Sequence, residues 1–395
     1  MSSAVMPTYA RFDLEFDRGE GCHLFTVDGR RFLDFNSGIA VSALGHAHPH
    51  LVKVVQEQAA KLWHVSNLYR IPDQERLAER LVANSFADYA FFCNSGAEAL
   101  EAGIKMARKH FYEKGETEKY RVITCNDSFH GRTLATISAG GSAKVRKGFD
   151  PLVDAFDHVP FGNMNELRNA ITPQTAAILV EPIQGEGGIH VGTLDYLRAL
   201  RETADEYGLL LHYDEVQCGI GRTGKLFAYE WAEKAAPDII SLAKGLGGGF
   251  PVGACLATRE AASGFTPGAH GTTFGGNPLA MAAANAVLDV ILGEGFLDHV
   301  DRTGRDLWNR LVDLQKRYPE VIAEVRGAGL MIGLKCAVDS GRFVATLMDN
   351  NMLTVGAADN VVRLLPPLII GEAEVAEAMA ALEAACQSLK AEAAA

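Results

Sequence analysis

The chain has 395 residues, 48% of them apolar and 22% charged, which describes a globular protein with a large core, in one or two domains. Its formal net charge of −12 excludes nucleic acid as the main ligand, because a phosphate backbone needs a basic field. A local basic pocket for a small anion remains compatible with that charge.

No apolar run approaches the roughly 18 residues of a membrane span, and residues 1–10 lack a signal-peptide core. The seven cysteines are scattered and form no C-x-x-C pair. The expectation is a cytoplasmic protein with reduced thiols, without a metal or disulfide framework and without membrane contact.

In chain order, two apolar runs at 22–27 and 31–35 flank Asp28-Gly29 and predict a hairpin. The segment Gly45-His-Ala-His-Pro-His50 has no carboxylate or cysteine beside it and is interrupted by proline. It predicts a turn opening a helix in preference to a metal site. Helical spacing follows over 51–63 and 73–84, then a strand at 89–93, a helix at 97–114 and a strand at 121–125. Further strands are predicted at 176–180, 209–213 and 239–242, with a helix at 194–207. Short, continuously apolar strands alternating with helices predict an α/β fold whose central sheet is mostly parallel and covered on both faces. An Ala-rich helix over 278–292 leads into a smaller α+β region with strand candidates at 326–334 and 361–365, and 390–395 reads as a frayed tail. The expected division is an N-terminal segment 1–50 joining the small domain, a large domain 51–290 and a C-terminal small domain 291–395.

An open parallel sheet binds ligands beyond the carboxyl ends of its strands. After strand 89–93 stands Asn94-Ser-Gly-Ala-Glu98, where Ser95 and Glu98 form a capping box. The open N–H groups at Gly96 and Ala97 suit a phosphate, although an ordinary capped helix carries the same pattern. After strand 121–125, Phe129 can stack on a flat ring and Arg132 can fork onto a carboxylate. After strand 176–180, Glu181-Pro-Ile-Gln-Gly-Glu-Gly-Gly188 puts carboxylates on a Gly-rich turn. After strand 209–213, Asp214-Glu-Val-Gln217 offers an acid able to hold a protonated ring nitrogen. After strand 239–242 comes Lys244, followed at once by glycines. Alone it reads as a surface lysine beside a flexible loop. Partly desolvated, the amine could lose its proton near neutral pH and attack a carbonyl. Together the strand ends describe one flat anionic cofactor: phosphate on Ser95, Gly96 and Ala97, ring against Phe129, ring nitrogen on Asp214, aldehyde on Lys244. That cofactor is pyridoxal 5'-phosphate.

Gly219-Ile-Gly-Arg-Thr-Gly224 spells a dinucleotide fingerprint, and with Lys225 nearly a P-loop. No clear helix opens after it, and Leu226 stands where a metal-binding hydroxyl would be needed, so the nucleotide reading is set aside. A cofactor-free Schiff-base enzyme would keep Lys244 but would need neither Asp214 nor the phosphate cup. A non-catalytic binding protein of the same build would have lost the lysine.

The motifs Asn94-Ser-Gly-Ala-Glu98, Phe129-His-Gly-Arg-Thr133, Glu181–Gly188, Asp214-Glu-Val-Gln217, Ala243-Lys-Gly-Leu-Gly-Gly-Gly249 and His270-Gly-Thr-Thr-Phe-Gly-Gly-Asn-Pro278 resemble those of the class III, ω-amino-acid-type aminotransferases. The resemblance runs from about Phe12 to Pro367. It implies a fold-type I pyridoxal phosphate enzyme acting as a homodimer. Lys244 would bond the cofactor aldehyde and shuttle a proton. Asp214 would pair with the ring nitrogen, with Glu215, Val216 and Gln217 beside it and Gln217 on the ring hydroxyl. Thr273 of the neighbouring subunit would help to hold the phosphate. Arg132 and Thr272 match positions that contact an acylated ornithine, and Arg363 the position that binds the α-carboxylate of glutamate or 2-oxoglutarate. Glu186 matches the glutamate that pairs with this arginine when the longer amine is bound. Ornithine-specific members carry a tyrosine where this chain has Asn36-Ser-Gly-Ile-Ala-Val41. Its absence favours N2-acetylornithine as amine donor, and with it arginine biosynthesis. Succinylornithine, N-succinyl-diaminopimelate and 4-aminobutyrate stay open as alternatives.

Overall fold

The computed structural model describes residues 4–394. Residues 1–3, part of the stretch expected to lack a signal peptide, and Ala395, at the end of the expected tail, lie outside the described residues. An N-terminal meander, β1 (Phe16–Glu20), β2 (His23–Thr26) and β3 (Arg31–Asp34), opens the chain. Its β2–β3 turn is the expected Asp28-Gly29 hairpin, with Gly29 at φ +88°.

The central sheet is built from β4 (Tyr89–Cys93), β5 (Arg121–Cys125), β6 (Phe156–Val159) and β7 (Thr175–Val180). After the short hairpin β8 (Ile183–Gln184) and β9 (His190–Val191), it continues with β10 (Leu210–Asp214), β11 (Ile239–Leu242) and β12 (Gly253–Ala257). Its seven strands lie in the order β4-β12-β11-β10-β7-β5-β6. Pairings from β6 to β11 are parallel, and β12 runs antiparallel to both β11 and β4.

Two of these strands carry no clear sequence signal. β6 is an edge strand with Asp157 and His158 in its middle, and β12 is a run of small residues emerging from glycines. β12 reverses direction because 243–252 is too short for the helical crossover a parallel strand requires.

The remaining strands are β13 (Ile322–Ala328), β14 (Met331–Cys336), β15 (Met352–Leu353), β16 (Val355–Ala357) and β17 (Val361–Leu364). The strand expected at 326–334 is in fact the turn of the β13–β14 hairpin, where Gly329 takes φ +55° against the Thr223 backbone. β15 pairs parallel with β3, so the two ends of the chain meet in one sheet. The expected tail is helical instead: the helix Glu372–Ala394 is anchored by buried Leu382, Cys386 and Leu389, and Lys390 reaches Glu320 at 2.7 Å. Among the described residues no single helix is long and apolar enough to cross a membrane.

The histidine-rich stretch serves structure. His46 meets Asp34 at 2.8 Å, His48 precedes the helix Pro49–Ala59, and His50 meets Asp289 at 2.9 Å. The turn 219–224 is followed by no regular α-helix, and its Arg222 is buried, donating to the carbonyls of Leu330 and Pro366.

The helix Gly96–Glu113 lies so close to the sheet that a Cβ on Gly103 would stand 2.2 Å from Cε1 of His212. His212 has no room to yield. It is buried, tied through Nε2 to the Ser241 hydroxyl at 2.8 Å, and kept neutral because desolvation pushes its pKa down to about 3. Gly103→Ala should therefore destabilise the apoprotein by about 1–3 kcal/mol through overpacking. Thermal unfolding of the variant checks this, and an unchanged midpoint would show that the helix can move off the sheet.

Candidate active site

The ends of β4, β5, β7, β10 and β11 deliver residues to one cavity of about 410 Å³. Beyond β4, Ser95 is extended (φ −152°, ψ 163°) and caps the helix by accepting from the Glu98 amide at 3.3 Å. The Glu98 carboxylate returns to the Asn94 amide at 2.8 Å. The first-turn amides of Gly96 and Ala97 have no intrahelical acceptor and face the cavity as an anion cup. Glycine is required at position 96, since a Cβ there would come within 2.9 Å of Val216.

Beyond β5, the Phe129 amide donates to Glu181 at 3.1 Å, which fixes the Phe129 ring in the cavity wall. The Arg132 guanidinium lies 5.3 Å from the centre of that ring. His130 is buried and donates through Nδ1 to Oδ2 of Asp214 at 2.8 Å, while its Nε2 has no partner. Oδ1 of Asp214 accepts from the Val216 amide at 3.0 Å. Asp214 is thus held in one orientation at the cavity floor, 4% exposed. Glu181 is fully buried beside it. Desolvation first, and the nearby Asp214 carboxylate second, push its pKa well above the carboxylate range.

Lys244 follows β11 with φ +44°, a left-handed geometry for a residue with a Cβ. Among the described residues its amine has neither an ion-pair nor a hydrogen-bond partner. Desolvation lowers its pKa to about 8, against the opposing pull of Glu186, Asp214 and Glu181 and with help from the Arg363 charge. A part-neutral amine facing a fixed carboxylate, an aromatic wall and an amide cup suits a flat anionic aldehyde with a basic ring nitrogen.

The expected residues Ser95, Gly96, Ala97, Phe129, Arg132, Asp214, Val216, Gln217 and Lys244 all line this cavity. Glu215 departs from expectation: its side chain is buried away from the cavity and accepts from the amides of Ala228 at 2.6 Å and Tyr229 at 3.0 Å. Arg363 and Glu186 stand just behind Gln217. Nη1 and Nη2 of Arg363 donate to the two Glu186 oxygens at 2.6 and 3.1 Å, and Nη1 also lies 3.4 Å from Oε1 of Gln217. Burial works to raise the Glu186 pKa, but the Arg363 guanidinium outweighs it and holds the carboxyl below its usual range. Thr272 and Thr273 do not reach this chain's cavity. Thr273 is exposed, and Thr272 accepts from the Gly275 amide at 3.1 Å in a loop whose Phe274 is 62% exposed.

Sequence reasoning missed His130, Glu181 and Val41 as parts of the site. His130 and Glu181 sit inside motifs that were noticed, so adjacency to Phe129 and to a strand end was the available signal. Val41 closes the stretch Asn36–Val41, which the family resemblance marks by its missing tyrosine.

The sequence profile described as "Aminotransferase class-III" matches residues 5–386. An acetylornithine aminotransferase of Bradyrhizobium diazoefficiens is 58% identical over 98% of this chain and 95% of its own length. Among solved structures, an N-acetylornithine aminotransferase of Stenotrophomonas maltophilia superimposes with TM-score 0.85 at 37% identity, covering 97% of this chain and 98% of that one. An ornithine aminotransferase of Toxoplasma gondii, whose active site holds pyridoxal phosphate at partial occupancy, gives TM-score 0.93 at 31% identity over 98% and 93%. With a profile that spans nearly its whole length, the chain belongs to the class-III aminotransferases.

Proposed function

We propose that this aminotransferase moves the δ-amino group of N2-acetyl-L-ornithine to 2-oxoglutarate, giving glutamate and the acylated semialdehyde, with pyridoxal phosphate as cofactor. The observation that carries the substrate reading is the two-pronged pair of buried Arg363 with half-buried Glu186 beside the lysine cavity. The enzyme must accept an ω-amine in one half-reaction and an α-amino acid in the other. A bare arginine would seize the α-carboxylate of both, and a carboxylate partner that can leave neutralises it for the first. The acetylornithine aminotransferases among its relatives support the same donor.

Bound pyridoxal phosphate supplies an electron sink and a carrier for the amino group. The chain's residues do the rest. Gly96 and Ala97 would hold the phosphate, Phe129 the ring face, Asp214 the ring nitrogen and Gln217 the ring hydroxyl. Nζ of Lys244 would bond the aldehyde carbon and, once displaced by substrate, take and return the proton. Arg132 and Thr272 would contact the acylated amine. Thr273 would complete a phosphate site in a second copy of the chain, so the enzyme would act as a homodimer. Exposed Trp63, Leu68 and Phe274 support such an apolar contact. The division at residues 50 and 290 and a cytoplasmic location belong to the same proposal.

Steady-state rates should favour N2-acetylornithine over free ornithine, succinylornithine, N-succinyl-diaminopimelate and 4-aminobutyrate, each with 2-oxoglutarate. A higher kcat/KM for any of these would replace the donor named here. Glu186→Ala should leave glutamate turnover within about threefold but cut kcat/KM for N2-acetylornithine by about 10- to 100-fold, as Arg363 captures its α-carboxylate. Equal losses with both substrates would refute the exchange. The pH dependence follows from Lys244: its neutral form bonds the aldehyde and, at a pKa of about 8, is the minor form at pH 7. Capture of pyridoxal phosphate by apoenzyme, followed by absorbance, should accelerate as pH rises through about 8 and level off above it. A rate flat from pH 6 to 9 would contradict this, by the proportion of neutral amine expected of about 1 in 100 to 9 in 10 over that range.

A further inference from the structure

Between β3 and the cavity the backbone does something costly. Ser37, Gly38, Ile39 and Ala40 take φ values of 50°, 63°, 65° and 63°, one after another. They form a left-handed helical turn, closed by Ala40 donating to the Asn36 carbonyl at 3.1 Å and Val41 to that of Ser37 at 2.8 Å. Residues with a Cβ avoid this region, and a run of them persists only where surroundings enforce it.

The enforcing group is Asp34. Its Oδ1 accepts from the amides of Asn36 at 3.0 Å and Ser37 at 2.8 Å, and its Oδ2 accepts from Nε2 of His46 at 2.8 Å. The Asn36 side chain adds a bond from the Ile39 amide at 3.0 Å. His46 is itself pinned, with its amide and carbonyl bridging Gly21 at 2.7 and 3.0 Å. The turn leads straight into Val41, which lines the lysine cavity. On its other side Ala40 is buried in one apolar cluster with Ile183 and Ile189, which flank Glu186, and with Val361 and Leu365, which flank Arg363.

The geometry points to Asp34 and His46 as positioning residues for donor selection: they wind the 37–40 turn so that Val41 walls the cavity where the acyl end of the amine donor lies. Glutamate depends far less on this wall. Arg363, which would bind it, has anchors of its own on β17, in its two bonds to Glu186 and in its bond to the Gly356 carbonyl at 2.9 Å. The inference rests on the donor proposed above, so wild-type turnover of N2-acetylornithine is measured first, and its absence would sink that reading on its own.

The experiment compares the two half-reactions in holoenzyme carrying Asp34→Ala, Asp34→Asn or His46→Leu. Asp34→Ala and His46→Leu should raise KM for N2-acetylornithine by about tenfold while glutamate, followed by the cofactor absorbance change, stays within about threefold. Asp34→Asn keeps an acceptor for the Ser37 amide and should recover most of the loss. Amide hydrogen exchange across 36–42 should quicken in the first two variants only, a readout independent of turnover. If Asp34→Ala fails to fold, His46→Leu carries the test. Equal losses in both half-reactions, or a KM and exchange rate unchanged in His46→Leu, would overturn the assignment.

Discussion

Desolvation of one amine governs the rest of this site. Lys244 stands at the end of a buried strand, where the charged form of its side chain is disfavoured, and its pKa settles at about 8 only because charges around it disagree. Glu186, Asp214 and Glu181 pull it up, and Arg363 pushes it down. At the floor the Asp214 carboxylate is locked by His130 and the Val216 amide, and Glu181 beside it is pushed well above the carboxylate range by burial. The floor thus presents one carboxylate in a fixed orientation, while among the described residues the amine has no ion-pair partner.

What could be read from the chain was whatever is local. A strand that stops at Lys244 and turns into glycines, a capped helix start at Ser95 and an acid at the end of β10 are each contained in a few consecutive residues. The sheet assembles them because parallel strands all present the same end. What could not be read is what depends on distant contacts. His130 and Asp214 are 84 residues apart, and Arg363 and Glu186 are 177 apart. No periodicity relates such positions, and only the family resemblance joined the second pair. Glu215 shows the opposite failure. It lies inside a legible motif, yet alternation along the backbone turns its side chain into the core, where it serves the amides of Ala228 and Tyr229. The 326–334 region misled for a similar reason: its apolar run hides a glycine turn that only the approach of Thr223 reveals.

In the proposed function, the parts that would handle the cofactor and the parts that would choose the donor come from different places in the chain. Lys244, Asp214, Phe129 and the Ser95 cup all hang from the central sheet. Val41 arrives from the N-terminal meander, Glu186 from the β8–β9 hairpin and Arg363 from β17. These last segments are tied to one another. β3 pairs with β15, the Leu365 amide donates to the Phe35 carbonyl at 2.7 Å, and the Ala358 amide donates to the Glu186 carbonyl at 2.9 Å.

Such a division lets donor preference change without touching the machinery that every member of the family needs. An ornithine aminotransferase can therefore share this fold at TM-score 0.93 with only 31% identity. The strained turn 37–40 fits the same logic. A relaxed loop would cost less, but it would leave Val41 free to move, and a wall that moves discriminates poorly between one acyl group and another. On the proposed assignment the strain lies where selection between similar amines would be made, and Asp34, almost wholly buried, is placed to maintain it.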